Sequence, residues 1–207
     1  MSTFDAAFTG WSVVMLHNDG SEEPLEVGRW ASRASDADHT LMVDHCDGPT
    51  IDLGCGPGRM VHALQTRGVV SLGIDSSAEA VRLARARGIS VLHRDVFNPV
   101  PREGRWAHAL LADGNVGIGG RPLALLRRVW AMLATGGVLH VELQGPGLGI
   151  VHTSRQLRVD GRLGRRFAWA LVGVDAIAEV AHRAGFAHTD TRAHGGRHVA
   201  MLTKVKP

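Results

Sequence analysis

Residues Thr50 to Met60 read Thr-Ile-Asp-Leu-Gly-Cys-Gly-Pro-Gly-Arg-Met, and no other stretch of the chain restricts its fold as much. An apolar run ends at Leu53, glycines follow at positions 54, 56 and 58, and a helical pattern opens at once with Met60, Val61, Ala63 and Leu64. The pattern predicts strand, tight loop, helix. Without Cβ atoms in the loop, backbone N–H groups and the positive end of the following helix can face a ligand's polar group. The spacing is G-x-G-x-G, which departs from the dinucleotide fingerprint and lacks the Gly-Lys-Ser/Thr end of a phosphate-binding P-loop. Neither NAD nor ATP is the ligand it suggests. Glycine also serves tight turns for conformational reasons alone, so the loop gains its meaning from the strands downstream of it.

Asp52, Leu53, Gly54, Cys55, Gly56, Pro57 and Gly58 match without a gap the first motif of the class I S-adenosylmethionine-dependent methyltransferases, and the chain resembles that family. The resemblance implies S-adenosylmethionine as cofactor, S-adenosylhomocysteine as product, and a cofactor loop containing Asp52, Gly54, Cys55 and Gly56. Later segments extend it in order. Val69 to Ile74 reads as a second buried strand closing on Asp75, 23 residues after Asp52. A carboxylate there stands beside the ligand crevice and can accept hydrogen bonds from ribose hydroxyls. Ser76 is counted with it, although Asp75, Ser76 and Ser77 also suit the cap of a helix from Ala78 to Arg87. After a third strand, Gly88 to Leu92, the family's adenine contacts fall on Asp95 and Val96. Strand four, Trp106 to Ala112, ends at Asp113 and Asn115, which the family would place between the cofactor's amine and the acceptor. Asp113-Gly114-Asn115-Val116 is not the Asn/Asp-Pro-Pro-aromatic tetrad of some amine methyltransferases, which weakens a base-methylating reading. A helix from Pro122 to Leu133, a Thr135-Gly136-Gly137 turn and strand five, Val138 to Glu142, complete this part.

The chain has 207 residues, 44% apolar and 21% charged, enough for one α/β core and short for two. The expected fold is a doubly wound, mostly parallel seven-stranded sheet with an antiparallel last strand, as a single domain over 1–207. Residues 1–35 are expected to form a hairpin or lid, and residues 36–207 a Rossmann-like core with a hairpin insertion at 154–169. The formal net charge is +3, and Lys204 and Lys206 are the only lysines. Scattered arginine without interleaved aromatics gives little support to a nucleic-acid partner. Cys46 and Cys55 offer neither a C-x-x-C metal spacing nor a disulfide framework, so no metal is expected and a reducing, cytoplasmic setting fits. No apolar run approaches the roughly 18 residues needed to span a bilayer, and no membrane association is expected.

Outside the core, Trp11 to Leu16, a turn at Asn18-Asp19-Gly20 and Pro24 to Val27 read as a hairpin. Ser35 suits the N-cap of a helix from Asp36 to Cys46. By the resemblance the segment before the first strand covers the cofactor. Arg29 would then meet the methionine carboxylate, or Trp30 the sulfonium by a cation–π contact; packing of Trp30 beneath the hairpin is the alternative. Gln156 to Trp169 reads as a second hairpin around Asp160-Gly161. Its arginines (155, 158, 162, 165 and 166) fit a charged, solvated edge or a clamp for an anionic acceptor. A last helix, Val174 to Ala184, and strands Phe186 to Thr191 and His198 to Thr203 end the chain.

The expected activity is methyl transfer to an oxygen or nitrogen of a small-molecule acceptor by a monomer or homodimer. An RNA or protein methyltransferase, or a silent cofactor-binding partner, stand as alternatives. Glu142, at the carboxyl end of strand five, is the candidate base, with His17 and His152 as competitors.

Overall fold

The structure, a computed structural model, describes residues 3–9, 12–25 and 27–205, without the side chains of His188 and Thr189. Trp11 and Glu26, expected within the first hairpin, lie outside the described residues. A 3-10 turn over Ala6–Phe8 leads to β1 (Val13–Leu16) and β2 (Glu22–Pro24), which pair antiparallel as the expected hairpin, but the return strand is Glu22–Pro24 and not Pro24 to Val27. A short helix, α1 (Val27–Ala31), carries Arg29 and Trp30. Helix α2 (Asp36–Leu41) starts at a capping box in which the Ser35 hydroxyl accepts from the Asp38 N–H and the Asp38 carboxylate accepts from the Ser35 N–H. The expected continuation to Cys46 breaks into a 3-10 turn over Val43–His45.

The core follows as β3 (Thr50–Leu53), α3 (Arg59–Thr66), β4 (Ser71–Asp75), α4 (Ala78–Ala86), β5 (Val91–His93), β6 (Trp106–Leu111), α5 (Pro122–Met132) and β7 (Leu133–Leu143). Then come β8 (Ile150–Val159), β9 (Arg162–Val172), α6 (Ile177–Ala184), β10 (Phe186–His194) and β11 (Arg197–Lys204). Seven strands lie in the order β10-β11-β7-β6-β3-β4-β5. Strands β3 to β7 pair in parallel, while β11 runs antiparallel to both β7 and β10.

Strand β3 is buried at all four positions, as a central parallel strand covered on both faces must be. Alternation along β6 divides the core: Ala109 and Leu111 pack with residues of α5 and α6, and Leu110 packs with Leu41 of α2 and Met60 and Leu64 of α3. From β3 the chain winds outward through β4 to β5, then returns to the other side of β3 as β6. Strand order reverses there, and ligands of doubly wound sheets bind in the crevice beyond the carboxyl ends of the strands at such a point.

The sequence pattern keeps the two hairpins apart, but the structure joins them. Strands β8 and β9 are longer than the expected 154–169 insertion, and β1 pairs antiparallel with β8 from Val13↔Val159 to Leu16↔Gln156. A second sheet results, ordered β2-β1-β8-β9. Two marginal hairpins gain stability by sharing an apolar face, since a lone two-stranded hairpin is barely stable in water. Val13, Met15 and Leu157 are buried in that face with Ala7. Among the described residues no helix is long and apolar enough to cross a membrane.

Candidate active site

A cavity of about 950 Å³ lies beyond the carboxyl ends of β3, β4, β6 and β7, beneath the second sheet. Its lining includes the expected cofactor residues Arg29, Trp30, Asp52, Gly54, Cys55, Gly56, Asp75, Ser76, Asp95, Val96, Asp113 and Asn115, and the expected base Glu142. His17 also lines it. His152 is not among the lining residues, and its Nδ1 lies 2.9 Å from the Gly120 carbonyl.

The loop explains its glycines locally. Gly54, Gly56 and Gly58 all have positive φ, at 74°, 55° and 87°. A Cβ on Gly54 would come within 2.7 Å of Asn115 Nδ2, which donates to the carbonyls of Leu53 and Gly54 at 3.1 and 3.0 Å. Asn115 therefore secures the end of β3 from the turn that follows the neighbouring strand β6. Asp75 Oδ2 accepts the Gly56 N–H at 2.8 Å and Oδ1 accepts the Ser77 N–H at 2.7 Å. About half of the carboxylate's acceptor capacity is left for the cavity. Burial raises the Asp75 pKa above the usual carboxylate range, against these two N–H groups. Ser77, not Asp75, is the N-cap of α4, accepting from the Ala80 N–H. Asp95 is exposed and its Oδ1 accepts the Phe97 N–H at 2.9 Å, which fixes the turn after β5.

Asp52 is buried, and its Oδ2 has no hydrogen-bond partner among the described residues. Burial pushes its pKa up to about 7; the Arg59 charge opposes this, and Asp113, Asp75 and Asp38 add to it. An orphaned, buried carboxylate oxygen on a cavity wall is an open demand for a cation or a donor.

Beside Asp52 runs a closed polar ring that the sequence did not reveal. Arg59 donates from Nη2 to both oxygens of Asp113 at 2.7 Å and from Nη1 to Asp38 Oδ2 at 3.2 Å. Arg197 on β11 donates to Asp38 Oδ1 at 2.8 Å, and through Nε and Nη2 to both oxygens of Glu142 at 2.7 and 2.9 Å. Glu142 Oε2 also accepts the Asp113 N–H at 2.7 Å, closing the ring. Burial works against charge on Asp38, but Arg59, the Ser35 N–H and Arg197 outweigh it and hold this carboxyl below its ordinary pKa. Glu142, expected as a base, thus has three of its roughly four acceptor sites engaged. Arg29 approaches the same ring from the mouth, 3.9 Å from Asp113 Oδ1.

The roof of the cavity is aromatic. Phe8 and Phe4 lie against Trp30, with ring centroids 6.0 and 6.4 Å away; Phe4 also meets Phe167 at 5.5 Å, and Phe167 meets Trp169 at 6.1 Å. Trp30 is therefore part of a wall and also lines the cavity. His17 Nε2 is 3.2 Å from Glu23 Oε2 at the rim.

Away from the cavity, Cys46, His108 and His140 bring a thiol and two imidazoles within 4.8 Å of one another. His108 Nε2 lies 2.8 Å from Asp47 Oδ1 and its Nδ1 3.2 Å from His140 Nε2, while His140 Nδ1 has no partner among the described residues. A metal-bound histidine ordinarily donates its second N–H to an acceptor, which His140 lacks. Burial pushes the Cys46 thiol up to about 12 and, with the neighbouring His108, His45 and Arg192, His140 down to about 3, so both are neutral.

Comparison with known proteins bears on the site as a whole. Residues 51–137 match the family described as methyltransferase domain. A trans-aconitate 2-methyltransferase of Paracidovorax citrulli is 34% identical over 97 residues, 45% of this chain and 37% of that relative, so the match spans little more than a third of that relative's length. Among solved structures, a SAM-dependent methyltransferase of Bacteroides fragilis in complex with S-adenosyl-L-homocysteine superposes with a TM-score of 0.80 at 16% identity, over 99% of this chain and 92% of that one. The 1,6-didemethyltoxoflavin-N1-methyltransferase of Burkholderia thailandensis gives 0.62 at 18%, over 86% and 83%. At these identities the structural likeness is one of fold.

Proposed function

We propose that this chain is a class I S-adenosylmethionine-dependent methyltransferase, a reading supported by its fold and by the methyltransferase domain matched over residues 51–137, and that it transfers the methyl group to an oxygen or nitrogen of a small-molecule acceptor. The observation that carries the reading is the unpartnered Asp52 oxygen beside the Gly54 loop. A buried carboxylate awaiting a cation suits a ligand with an ammonium group, and the space in front of Gly56, where an added Cβ would meet no atom nearer than 4.0 Å, leaves room for the ligand's body. The named relatives methylate small molecules, trans-aconitate and 1,6-didemethyltoxoflavin, which supports a small acceptor here.

In this reading Asp52 takes the cofactor's ammonium, Gly54, Cys55 and Gly56 form the cradle, and Asp75 with Ser76 meets the ribose. Asp95 and the Val96 N–H meet the adenine, Asp113 and Asn115 border the reacting end, Arg29 meets the carboxylate, and Trp30 closes over the site. Bound there, the cofactor's sulfonium supplies an already activated methyl group. What the chain adds is alignment and exclusion of water, and effective molarities of about 10⁵ M or more are available from orientation alone. Because Glu142 is tied into the ring, we assign it to holding Asp113 in place. Where the acceptor must lose a proton, His17 is the rim residue with a ring nitrogen to offer, Nδ1, when its Nε2–H faces Glu23.

The test is calorimetry with S-adenosylhomocysteine, NAD and ATP, followed by a screen of small metabolites with labelled S-adenosylmethionine. Binding of S-adenosylhomocysteine alone of the three, with label appearing in a small molecule, is the expected result. Label appearing only in RNA or protein would replace the acceptor class, and no binding would remove the activity.

A further inference from the structure

Of the arginines grouped in the second sheet, one differs from the rest. Arg158 points to Glu22 of β2, with Nη1 2.8 Å from Oε1. Arg155 lines the cavity. It is partly buried, its Nε is buried without a hydrogen-bond partner, and no carboxylate forms an ion pair with it among the described residues. Its guanidinium carbon stands 5.6 Å from the centroid of Trp169. The carboxylate that acts on it from a distance, Glu23, is engaged by His17.

The seat beneath Arg155 is fixed. Trp169 packs over Gly117, where a Cβ would come within 2.5 Å of the indole Nε1 and 2.1 Å of the Ala170 carbonyl oxygen. Arg155 faces Phe167 across the β8–β9 ladder, and Trp169 stands two residues further along the same strand, so both rings lie beside it on one face of the pair. Electrostatics separates it from its neighbours. A carboxylate pushes the pKa of Arg158 and Arg82 up, whereas burial pushes that of Arg155 down. A guanidinium stacked on indole, partly removed from water and without a counter-ion is an incomplete pair, and its planar fork matches carboxylate or phosphate oxygens.

We propose that Arg155, seated on Trp169, is the recognition site for an anionic group on the methyl acceptor, a carboxylate or a phosphate, whose flat or apolar body lies along Phe167 and Trp169. The proposal rests on reading the cavity as a methyltransferase site and adds the class of acceptor. It separates the clamp from the charged edge that the arginine cluster otherwise forms: Arg155 faces inward, and Arg158 is held at the edge by Glu22.

The experiment titrates a panel of small mono-, di- and tricarboxylates, including benzoate, their carboxamides, and phosphate monoesters into the full chain, by calorimetry and thermal shift, with and without saturating S-adenosylhomocysteine. Acids or phosphate esters are expected to bind, and the matching carboxamides at least about 10-fold more weakly. Arg155→Gln should weaken binding of the anion by about 10- to 100-fold, the range for losing charged hydrogen bonds, with unchanged affinity for S-adenosylhomocysteine. Arg155→Lys should recover part of the loss, and Arg158→Gln should bind as the parent does. Tighter binding of phosphate esters than of acids would assign the anion to phosphate. Equal affinity for acids and carboxamides, no anion bound at all, or an Arg155→Gln protein binding anions like the parent each overturns the proposal. Arg155-dependent anion binding in a protein that ignores S-adenosylhomocysteine would remove the cofactor reading and leave this site standing.

Discussion

Arg59 holds both carboxylate oxygens of Asp113 at 2.7 Å, and Asp113 is one of three non-glycine residues with positive φ among the described residues, at 52°. The left-handed conformation of a non-glycine residue costs roughly 1–3 kcal/mol and persists only where surrounding contacts impose it. Here the contacts are Arg59 on the carboxylate and Glu142 on the N–H. The strain turns the end of β6 into the cavity.

The strain and the ion pair can be separated by substitution. Asp113→Ala loses the Arg59 partner and keeps the unfavourable backbone, whereas Asp113→Gly loses the partner and relieves the backbone. Urea denaturation should find the glycine variant more stable than the alanine variant by roughly 1 kcal/mol. Alanine equal to or above glycine would mean that the backbone there carries no strain.

If Asp52 takes the cofactor's ammonium as proposed, cofactor binding should depend on pH. Its pKa is raised from the ordinary 3.8 to about 7, chiefly by burial, and a raised carboxyl pKa means that the folded chain holds a proton that the unfolded chain releases. The group therefore costs stability increasingly as pH rises from about 4 to about 7. A cofactor ammonium needs the ionised form, so S-adenosylhomocysteine affinity should climb with pH up to about 7 and level off above it. Asp52→Asn should flatten that profile, weaken binding, and raise the melting temperature of the ligand-free protein at pH 8. Calorimetry giving the same pH profile for parent and variant would detach Asp52 from the ligand.

Asp75→Ala should weaken S-adenosylhomocysteine binding by about 1.5–3 kcal/mol, as expected for hydrogen bonds to a charged group. The Gly56 and Ser77 N–H groups also lose their acceptor, so Asp75→Asn serves as the control that keeps one oxygen for a backbone donor. Unchanged affinity in both variants would discard the ribose assignment.

Glu142→Gln distinguishes a positioning residue from a base. Three engaged acceptor sites predict turnover within a few-fold of the parent once an acceptor is known, with a lower melting temperature because Arg197 loses one of its two ionised partners. A loss of ~10²-fold or more with intact cofactor affinity, the low end for general base catalysis, would restore Glu142 as the base. Arg197→Met should be worse for the fold than Glu142→Gln, by about 3 kcal/mol or more in chemical denaturation, because it leaves Asp38 and Glu142 both without their shared cation.

The wall of the cavity made by the glycine loop and the strand-end acids was legible because its information is local. Asp52, Gly54 and Gly56 sit within one turn of chain, and Asp75, Asp95 and Asp113 each fall where a strand ends, so reading the strands also placed the acids. Arg59 was not legible. A cation at the first turn of a helix opposes the helix dipole, and only the folded chain shows Asp38 and Asp113 converging on it. Glu142 was visible as a strand-end acid, but Arg197, on β11, is what decides its task. Phe4, Phe8, Phe167 and Trp169 escaped because hydrophobic period does not reveal that β1 and β8 are neighbours. The same pairing turned two expected hairpins into one roof and moved Arg155 from an edge to a wall.

The β1–β8 ladder also sets an order of events. Val13 leaves the ribosome long before Val159 exists, so the first strand waits with an open edge until most of the sheet below it has formed, and contacts of such wide sequence separation form slowly. The β1–β8 pairing should then close late and open before the parallel centre of the core, β3 to β7. Amides of β1 and β8 should exchange with solvent well before those of β3 and β6, and the rate of that opening is an upper limit on how fast a product trapped beneath the aromatic wall can leave.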